Sequence, residues 1–397
     1  MGKLFKNYDF TLIITPIFLA AFGAVMIYSA SMVSAVVEGL ESTYYFYRQL
    51  QWLVIGLIAF LICSLIPYRI YQKWIKFIVL GCILLLIAVL LFGDTVNNAT
   101  RSIDIGGLVS IQPSEFVKIA IILYLASVYS KKQAYINDFF KGVLPPLILT
   151  GFMLSLIILQ PDIGTTAIIF LIACTIIFSS GIRFKHLTGL VIVGIILLII
   201  LIPQMITGVR IARFTGAYQP FQNPDSAGYH LIQSYLAIGT GGITGEGLGQ
   251  SIQKLGYLWG AHTDFIMSII VEELGIVGLL FVIGMLAIIV FRGFFIARKC
   301  DDSFGALLAI GISSMVAIQS FVNLGSISGL LPITGVPLPF VSYGGSSLLS
   351  LMISMGILNN IAKSVKSKRE NLIGDEQEEA PPKQSNISSG RRKVWSN

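Results

Sequence analysis

Asp264 is the residue around which chemistry is most readily built. It sits in the run Trp259-Gly260-Ala261-His262-Thr263-Asp264-Phe265, at the lip of an apolar segment and at the end of a long interval, 207–264, between apolar spans. That interval holds three cations, Arg210, Arg213 and Lys254, and glycines at 239, 241, 242, 245, 247, 249 and 256. A carboxylate can accept a proton, and cations pair with phosphate oxygens. Together with pliant backbone at a membrane surface, they suit a charged lipid substrate.

Other charged positions lie near the same end of the apolar segments. Gln112-Pro113-Ser114-Glu115-Phe116-Val117-Lys118 opens one of them. Pro113 suits a first helical turn, Glu115 complements the helix dipole, and Glu115 and Lys118 share a face three residues apart. The pair reads equally as a structural ion pair and as the lining of a polar cavity, since charge inside a membrane is costly unless it serves a site or pathway. Glu272 and Glu273 fall one to two turns into the segment after Asp264. At least one is expected to face a polar cavity or to pair with Lys118 or Lys254. The run Gly239–Gly249 lacks the Gly-Lys-Ser/Thr ending of an ATP loop. Its amides could cradle a diphosphate, or it could be a plain flexible loop. The turn Gln160-Pro161-Asp162-Ile163-Gly164-Thr165 reads mainly as structural punctuation.

The elements that must position these residues follow from composition. The chain of 397 residues is 55% hydrophobic and only 12% charged, against roughly 25% charged in globular proteins. Many segments exceed the ~18 apolar residues needed to cross a bilayer. The expected architecture is an all-α, polytopic membrane protein of ten transmembrane helices. Its spans are drawn near 10–30, 48–66, 75–93, 112–130, 143–160, 163–182, 187–205, 265–291, 303–325 and 341–362, with one long extracellular loop, 207–264, between helices 7 and 8. Residues 1–9 form a cytoplasmic N-terminus. Within the loop, Leu231–Ile238 reads as a short amphipathic or re-entrant helix, and the polar stretch 363–397 reads as a disordered cytoplasmic tail.

Placing the N-terminus inside puts all but six of the 27 Lys and Arg residues on the cytoplasmic side, as the positive-inside rule requires. The net charge of +7 therefore records topology rather than affinity for nucleic acid. The six exceptions are Arg48, Arg101, Lys118, Arg210, Arg213 and Lys254. Arg48 begins a span and reads as a headgroup anchor; the other five invite anionic headgroups or phosphates. The four cysteines show neither metal-type spacing nor a disulfide framework. Between spans nine and ten, Pro332, Pro337 and Pro339 forbid regular helix, and Gly344-Gly345-Ser346-Ser347 lets the last span pack closely on a neighbour.

As an ordered set, several strings resemble the SEDS family (shape, elongation, division, sporulation). They are Tyr28-Ser29-Ala30-Ser31, Gln112-Pro113-Ser114-Glu115 with Lys118, Gln160–Thr165, the glycine run 239–249, His262-Thr263-Asp264-Phe265, Glu272-Glu273-Leu274-Gly275 and Pro332–Ser347. Tyr45–Gln49, Gly228-Tyr229-His230 and the charged tail look more like the family's FtsW division branch than its RodA branch. The resemblance implies a peptidoglycan glycosyltransferase that polymerises lipid II into glycan strands on the outer face of the cytoplasmic membrane, at the division septum. It also implies a class B penicillin-binding protein and other divisome membrane proteins as partners. The family's essential acid maps onto Asp264. Two departures stand out: Leu258-Trp259-Gly260 replaces a usual Leu-Pro-Glu, and Arg101-Ser102-Ile103 replaces Arg-Trp-Ile. Under this reading Asp264 takes the proton of the attacking sugar hydroxyl. Arg101, Lys118, Arg210, Arg213 and Lys254, or a divalent cation such as Mg²⁺ or Mn²⁺ held by acids, meet the departing diphosphate, and Glu115, Glu272 and Glu273 are counted among the substrate-binding residues. The rival readings are a lipid II flippase, which broken helices and intramembrane charge also suit, and a non-catalytic division scaffold. Charge concentrated near one face, rather than along both halves of a pathway, favours the enzyme.

Overall fold

The computed structural model describes residues 7–96, 99–105, 109–133, 138–182, 188–189, 192, 214–226 and 228–379. The helices run α1 Phe10–Val37, α2 Tyr44–Leu65, α3 Arg69–Phe92, α4 Pro113–Lys131, α5 Leu144–Leu159, α6 Ile163–Ser179, α7 Tyr229–Gly241, α8 Ile266–Lys299, α9 Ser303–Ile327 and α10 Gly345–Glu379. A π-helical turn, Phe139–Val143, leads into α5. Among the described residues, eight helices are long and apolar enough to cross a membrane, and α6 is a shorter apolar helix. Each falls on an expected span; the expected span 187–205 lies outside the described residues. The chain is a polytopic membrane protein.

Burial follows the apolar patterning. α4 and α9 are mostly enclosed, while α2, α3 and α8 leave most of their apolar surface bare. On α2, exposed Val54, Ile58, Leu61 and Leu65 form one such band, and on α3 Phe77, Leu80, Leu84 and Leu91 form another. In a bilayer such surfaces face acyl chains and carry no cost. α2 and α10 pack closely because glycine allows it: Trp52 lies over Gly345, and the backbone at Phe60 lies against Gly356.

Two features differ from the sequence expectation. The segment before α4 is not plain loop. It forms an antiparallel sheet of β1 Asp94–Val96, β2 Ala99–Ile105 and β3 Val109–Ile111, with β2 central. Within it, Ser102-Ile103-Asp104-Ile105 alternates with the period of two that a strand needs. The second concerns the tail. α10 runs past the expected end at 362 to Glu379, so the boundary of a disordered tail at 363 is corrected; residues 380–397 lie outside the described residues. Charges of opposite sign recur about a turn apart there, as between Lys366 and Glu370, which supports helix despite the polar composition.

α8 is broken at Gly275, whose backbone is left-handed (φ 66°). The glycine-rich loop docks into the break. Ile276 N donates to Gly242 O (3.1 Å), Glu246 N to Glu272 O (2.9 Å) and Gly247 N to Glu273 O (3.0 Å). A side-chain carbon at Gly241, Gly245 or Gly275 would collide with the facing backbone. These glycines permit backbone-on-backbone contact, and the amides of Glu246 and Gly247 are committed to α8 rather than offered to a ligand.

Candidate active site

Asp264 immediately precedes α8, and its position is fixed from three sides. Gly260, left-handed at φ 75°, closes a tight turn in which Thr263 N and Phe265 N donate to Gly260 O (3.0 and 3.1 Å). A side-chain carbon at 260 would stand 2.7 Å from Asp264 Oδ1. The glycine in this chain's Leu-Trp-Gly variant is thus what lets the carboxylate fold back over the turn. Thr263 Oγ1 donates to Asp264 Oδ1 at 2.8 Å. From α9, Asn323 Nδ2 donates both to Asp264 O and to Val336 O, each at 2.8 Å. One buried carboxamide thereby ties the acid's backbone to the proline-rich connection.

Asp264 and Thr263 line a cavity of about 320 Å³ together with Arg48, Trp52, Arg101, Gln112, Tyr343 and Ser346. Among the described residues, Asp264 is the single carboxylate in that lining, which also holds two arginines. Arg48 lies in the second turn of α2, its guanidinium 5.1 Å from the Tyr44 ring centroid. Arg101, on β2, donates to Pro161 O (3.0 Å) and lies 4.0 Å from Asp162 Oδ1. Gln112 Nε2 donates to Asp162 Oδ2 (3.2 Å), and Gln112 N to Ser346 Oγ (3.0 Å). Asp162, besides accepting from Thr165 N at the start of α6 (3.3 Å), therefore braces the arginine strand against α4. The starts of α2, α4, α8 and α10 meet here. Their helix dipoles add positive potential to that of the two arginines.

Two histidines flank the acid. Burial holds His230, at the start of α7, below its ordinary pKa, and the charge of Asp264 opposes that shift. His262 packs against Tyr45 and Tyr343, ring centroids 4.6 and 5.7 Å away. Burial pushes it down to about 4, with Glu38 opposing. It is neutral at physiological pH and acts as packing, while its carbonyl accepts from Tyr343 N (2.9 Å).

The remaining sequence candidates do not gather at this cavity. Lys118 turns inward, donating to Glu115 Oε1 and Gln319 Oε1 (2.9 Å each), while Ser350 Oγ donates to Glu115 Oε2 (3.2 Å). Lys254 forms a 2.7 Å ion pair with Glu273, and Ser29 Oγ donates to the same carboxylate (2.7 and 2.9 Å). For Lys118 and Lys254 the sequence left two partners open, a carboxylate or a diphosphate. The structure buries both against carboxylates, because a membrane interior makes an unpaired ammonium costly. Glu273 does pair with Lys254, as one alternative required. Glu272 accepts from Ser251 Oγ and Ile252 N, holding the turn 251–254 to α8. Arg210 and Arg213 lie outside the described residues. Sequence reasoning missed Arg48, whose role as a headgroup anchor gives way to a place in the cavity wall, and it missed Tyr343 and Asn323. Among the described residues, no three His, Cys, Asp or Glu side chains gather as a metal-binding group.

Comparison with known proteins places this geometry. A profile described as cell cycle protein, covering FtsW, RodA and SpoVE, matches residues 10–367. The chain is 52% identical over 376 residues to the probable peptidoglycan glycosyltransferase FtsW of Bacillus subtilis, covering 92% of this chain and 93% of that one. It is 38% identical to stage V sporulation protein E of the same organism, covering 89% and 97%. Among solved structures, it resembles a chain of a peptidoglycan synthase complex that coordinates polymerization and crosslinking (TM-score 0.74, 25% identity, 91% and 99% covered). It also resembles Thermus thermophilus rod shape determining protein RodA (TM-score 0.68, 25% identity, 91% and 98% covered).

Proposed function

Since the chain belongs to the FtsW/RodA/SpoVE family, we propose that it is a peptidoglycan glycosyltransferase, polymerising lipid II into glycan strands during cell division. One observation carries the reading: a single carboxylate faces two arginines in a cavity ringed by helix N-termini. That is the charge arrangement an inverting transfer from a diphosphate-linked sugar requires.

Asp264 takes the proton of the acceptor sugar's hydroxyl as that oxygen attacks the anomeric carbon. The bond to undecaprenyl diphosphate breaks, and charge grows on the departing phosphate oxygens. Arg48 and Arg101, with the converging helix dipoles, stabilise that charge. The Thr263 hydroxyl and the Asn323 carboxamide hold the acid in place. The cavity's one carboxylate, set against two guanidinium groups, is a poor donor set for a divalent cation such as Mg²⁺ or Mn²⁺, so the charge at the leaving group is assigned to the arginines and helix dipoles.

Orientation follows from charge. Arg69, Lys73, Lys131, Arg292, Arg298, Lys299 and Lys363 gather at the helix ends opposite the cavity. The positive-inside rule therefore assigns that end to the cytoplasm and the cavity to the outer leaflet. A class B penicillin-binding protein crosslinks the strands as they emerge, and other division proteins direct the pair to the septum. The higher identity to FtsW than to the sporulation relative favours division.

The test supplies purified protein and its penicillin-binding partner with lipid II and follows glycan strands by gel. Strand formation supports the proposal. Movement of lipid II across proteoliposomes without polymer would replace it with a flippase.

A further inference from the structure

Two charged clusters act as a ruler along the bundle. Asp9 pairs with Arg292 at 2.7 Å, and Ser29 and Lys254 meet Glu273 at 2.7 Å each. α1 joins the clusters through about twenty residues and α8 through about nineteen, so both helices give a separation of ~30 Å at 1.5 Å per residue. That is the thickness of a bilayer's hydrocarbon core, ~30 Å. The clusters therefore mark its two boundaries, and whatever is bonded to the Glu273 cluster lies at the boundary nearer Asp264.

Residues 251–259 are bonded to it. Ile252 N donates to Glu272 Oε1 (2.8 Å), and Lys254 Nζ reaches Glu273. In this segment polarity is inverted relative to a water-facing loop. Ser251, Gln253 and Lys254 are buried, whereas Ile252, Leu255, Tyr257 and Trp259 are exposed, Trp259 by 74%. No charged, amide or Ser/Thr side chain of the segment is exposed. The preceding glycine run, by contrast, exposes Thr244, Glu246 and Gln250. Just past Glu273 in the chain, α8 presents exposed Ile276, Val277 and Leu280, an apolar face of the kind that meets lipid. From Lys254 the chain climbs to Asp264, which precedes the first turn of α8. Tyr257 and Trp259 therefore lie at headgroup height, where amphipathic aromatic rings concentrate.

We propose that residues 251–259 form a membrane-interface element, with Ile252 and Leu255 seated against phospholipid acyl chains and Tyr257 and Trp259 among the headgroups. The element sets the height of Asp264 above the acyl boundary, because the same nine residues lead directly into the Gly260 turn that holds the carboxylate. Burying Lys254 against Glu273 removes the one cation that would otherwise draw the segment into water. This inference rests on membrane embedding and not on glycosyl transfer, so either can fail without the other.

Nitroxide accessibility tests it on the full chain in nanodiscs of phosphatidylethanolamine and phosphatidylglycerol, with the four native cysteines replaced. Labels go on Ile252→Cys and Leu255→Cys, with Leu280→Cys as the lipid reference and Gln250→Cys as the water reference. The ratio of oxygen to nickel-chelate collisions at 252 and 255 is expected to approach that at 280 and to exceed that at 250 several-fold. A ratio equal to that at 250 overturns the proposal. Chelate access that is lost only when a protein partner is added also overturns it, assigning the face to protein instead. A melting temperature close to that of the cysteine-free parent confirms the fold of each labelled variant.

Discussion

Lys254→Met separates the two roles that this lysine has been given. If Lys254 binds diphosphate, its loss raises KM and leaves the fold intact. If it neutralises Glu273, its loss strands a carboxylate that is fully buried and keeps only the two Ser29 contacts. Breaking one partner of a buried ion pair costs about 3–5 kcal/mol. With an unfolding entropy of ~2.1 cal/mol/K per residue over a chain of 397 residues, that lowers the melting temperature by roughly 5 °C. The double variant Lys254→Met/Glu273→Gln removes the stranded charge and should regain most of the loss, since replacing both members of a buried pair is often close to neutral. Melting of the three proteins in the same detergent, followed by intrinsic fluorescence, decides the matter. A single variant that melts with wild type while its KM rises tenfold would refute the structural reading and restore the lysine to the substrate.

Other perturbations have equally definite outcomes. Arg48→Ala and Arg101→Ala should each lower kcat/KM for lipid II by about 10- to 100-fold, ~1.4–2.7 kcal/mol of lost charge stabilisation, with melting unchanged for Arg48→Ala; unaltered kinetics would remove either residue from the site. Gly275→Ala combines a left-handed backbone with a collision against the Ile243 carbonyl. It should cost at least about 3 kcal/mol, visible as poor membrane accumulation and early melting. His262 is depressed to about 4 against an ordinary 6.5, so the unfolded chain binds a proton that the folded chain refuses between those values. Its contribution, up to about 3 kcal/mol before allowance for partial exposure, is complete above pH 6.5 and is lost as pH falls toward 4. His230 adds in the same direction, and His262→Gln should flatten the melting-temperature profile across that window.

Much of this was legible in the sequence because membranes enforce simple rules. Apolar length located the described spans, lysine and arginine placement gave the orientation that is proposed for them, and the out-of-place cations pointed to the Asp264 end. Arg101 could be read as a site residue because it defies the topological bias at a loop edge, and Asp264 because it is a carboxylate at the lip of a span, where the SEDS resemblance puts the essential acid. Arg48 defies it too, but a cation at a helix start is also what a headgroup anchor looks like. Only the packing of α2 on α10 through Gly345 brings it to the cavity. Lys254 stayed open between phosphate and carboxylate because its partner, Glu273, lies nineteen residues on, beyond the turn that Glu272 holds. The glycine run could be read as a phosphate cradle until its amides were found committed to the carbonyls of α8. Asn323 gave no signal, since a lone amide in an apolar helix looks the same whether it braces a site or fills a core.

The most direct measurement is lipid II polymerisation by Asp264→Asn in the presence of the penicillin-binding partner. The substitution keeps the size of the side chain and its bond from Thr263 while removing the basic oxygen. Loss of glycan strands with wild-type melting and partner binding is the predicted result. Strands formed at the wild-type rate would contradict the assignment of Asp264 as the base.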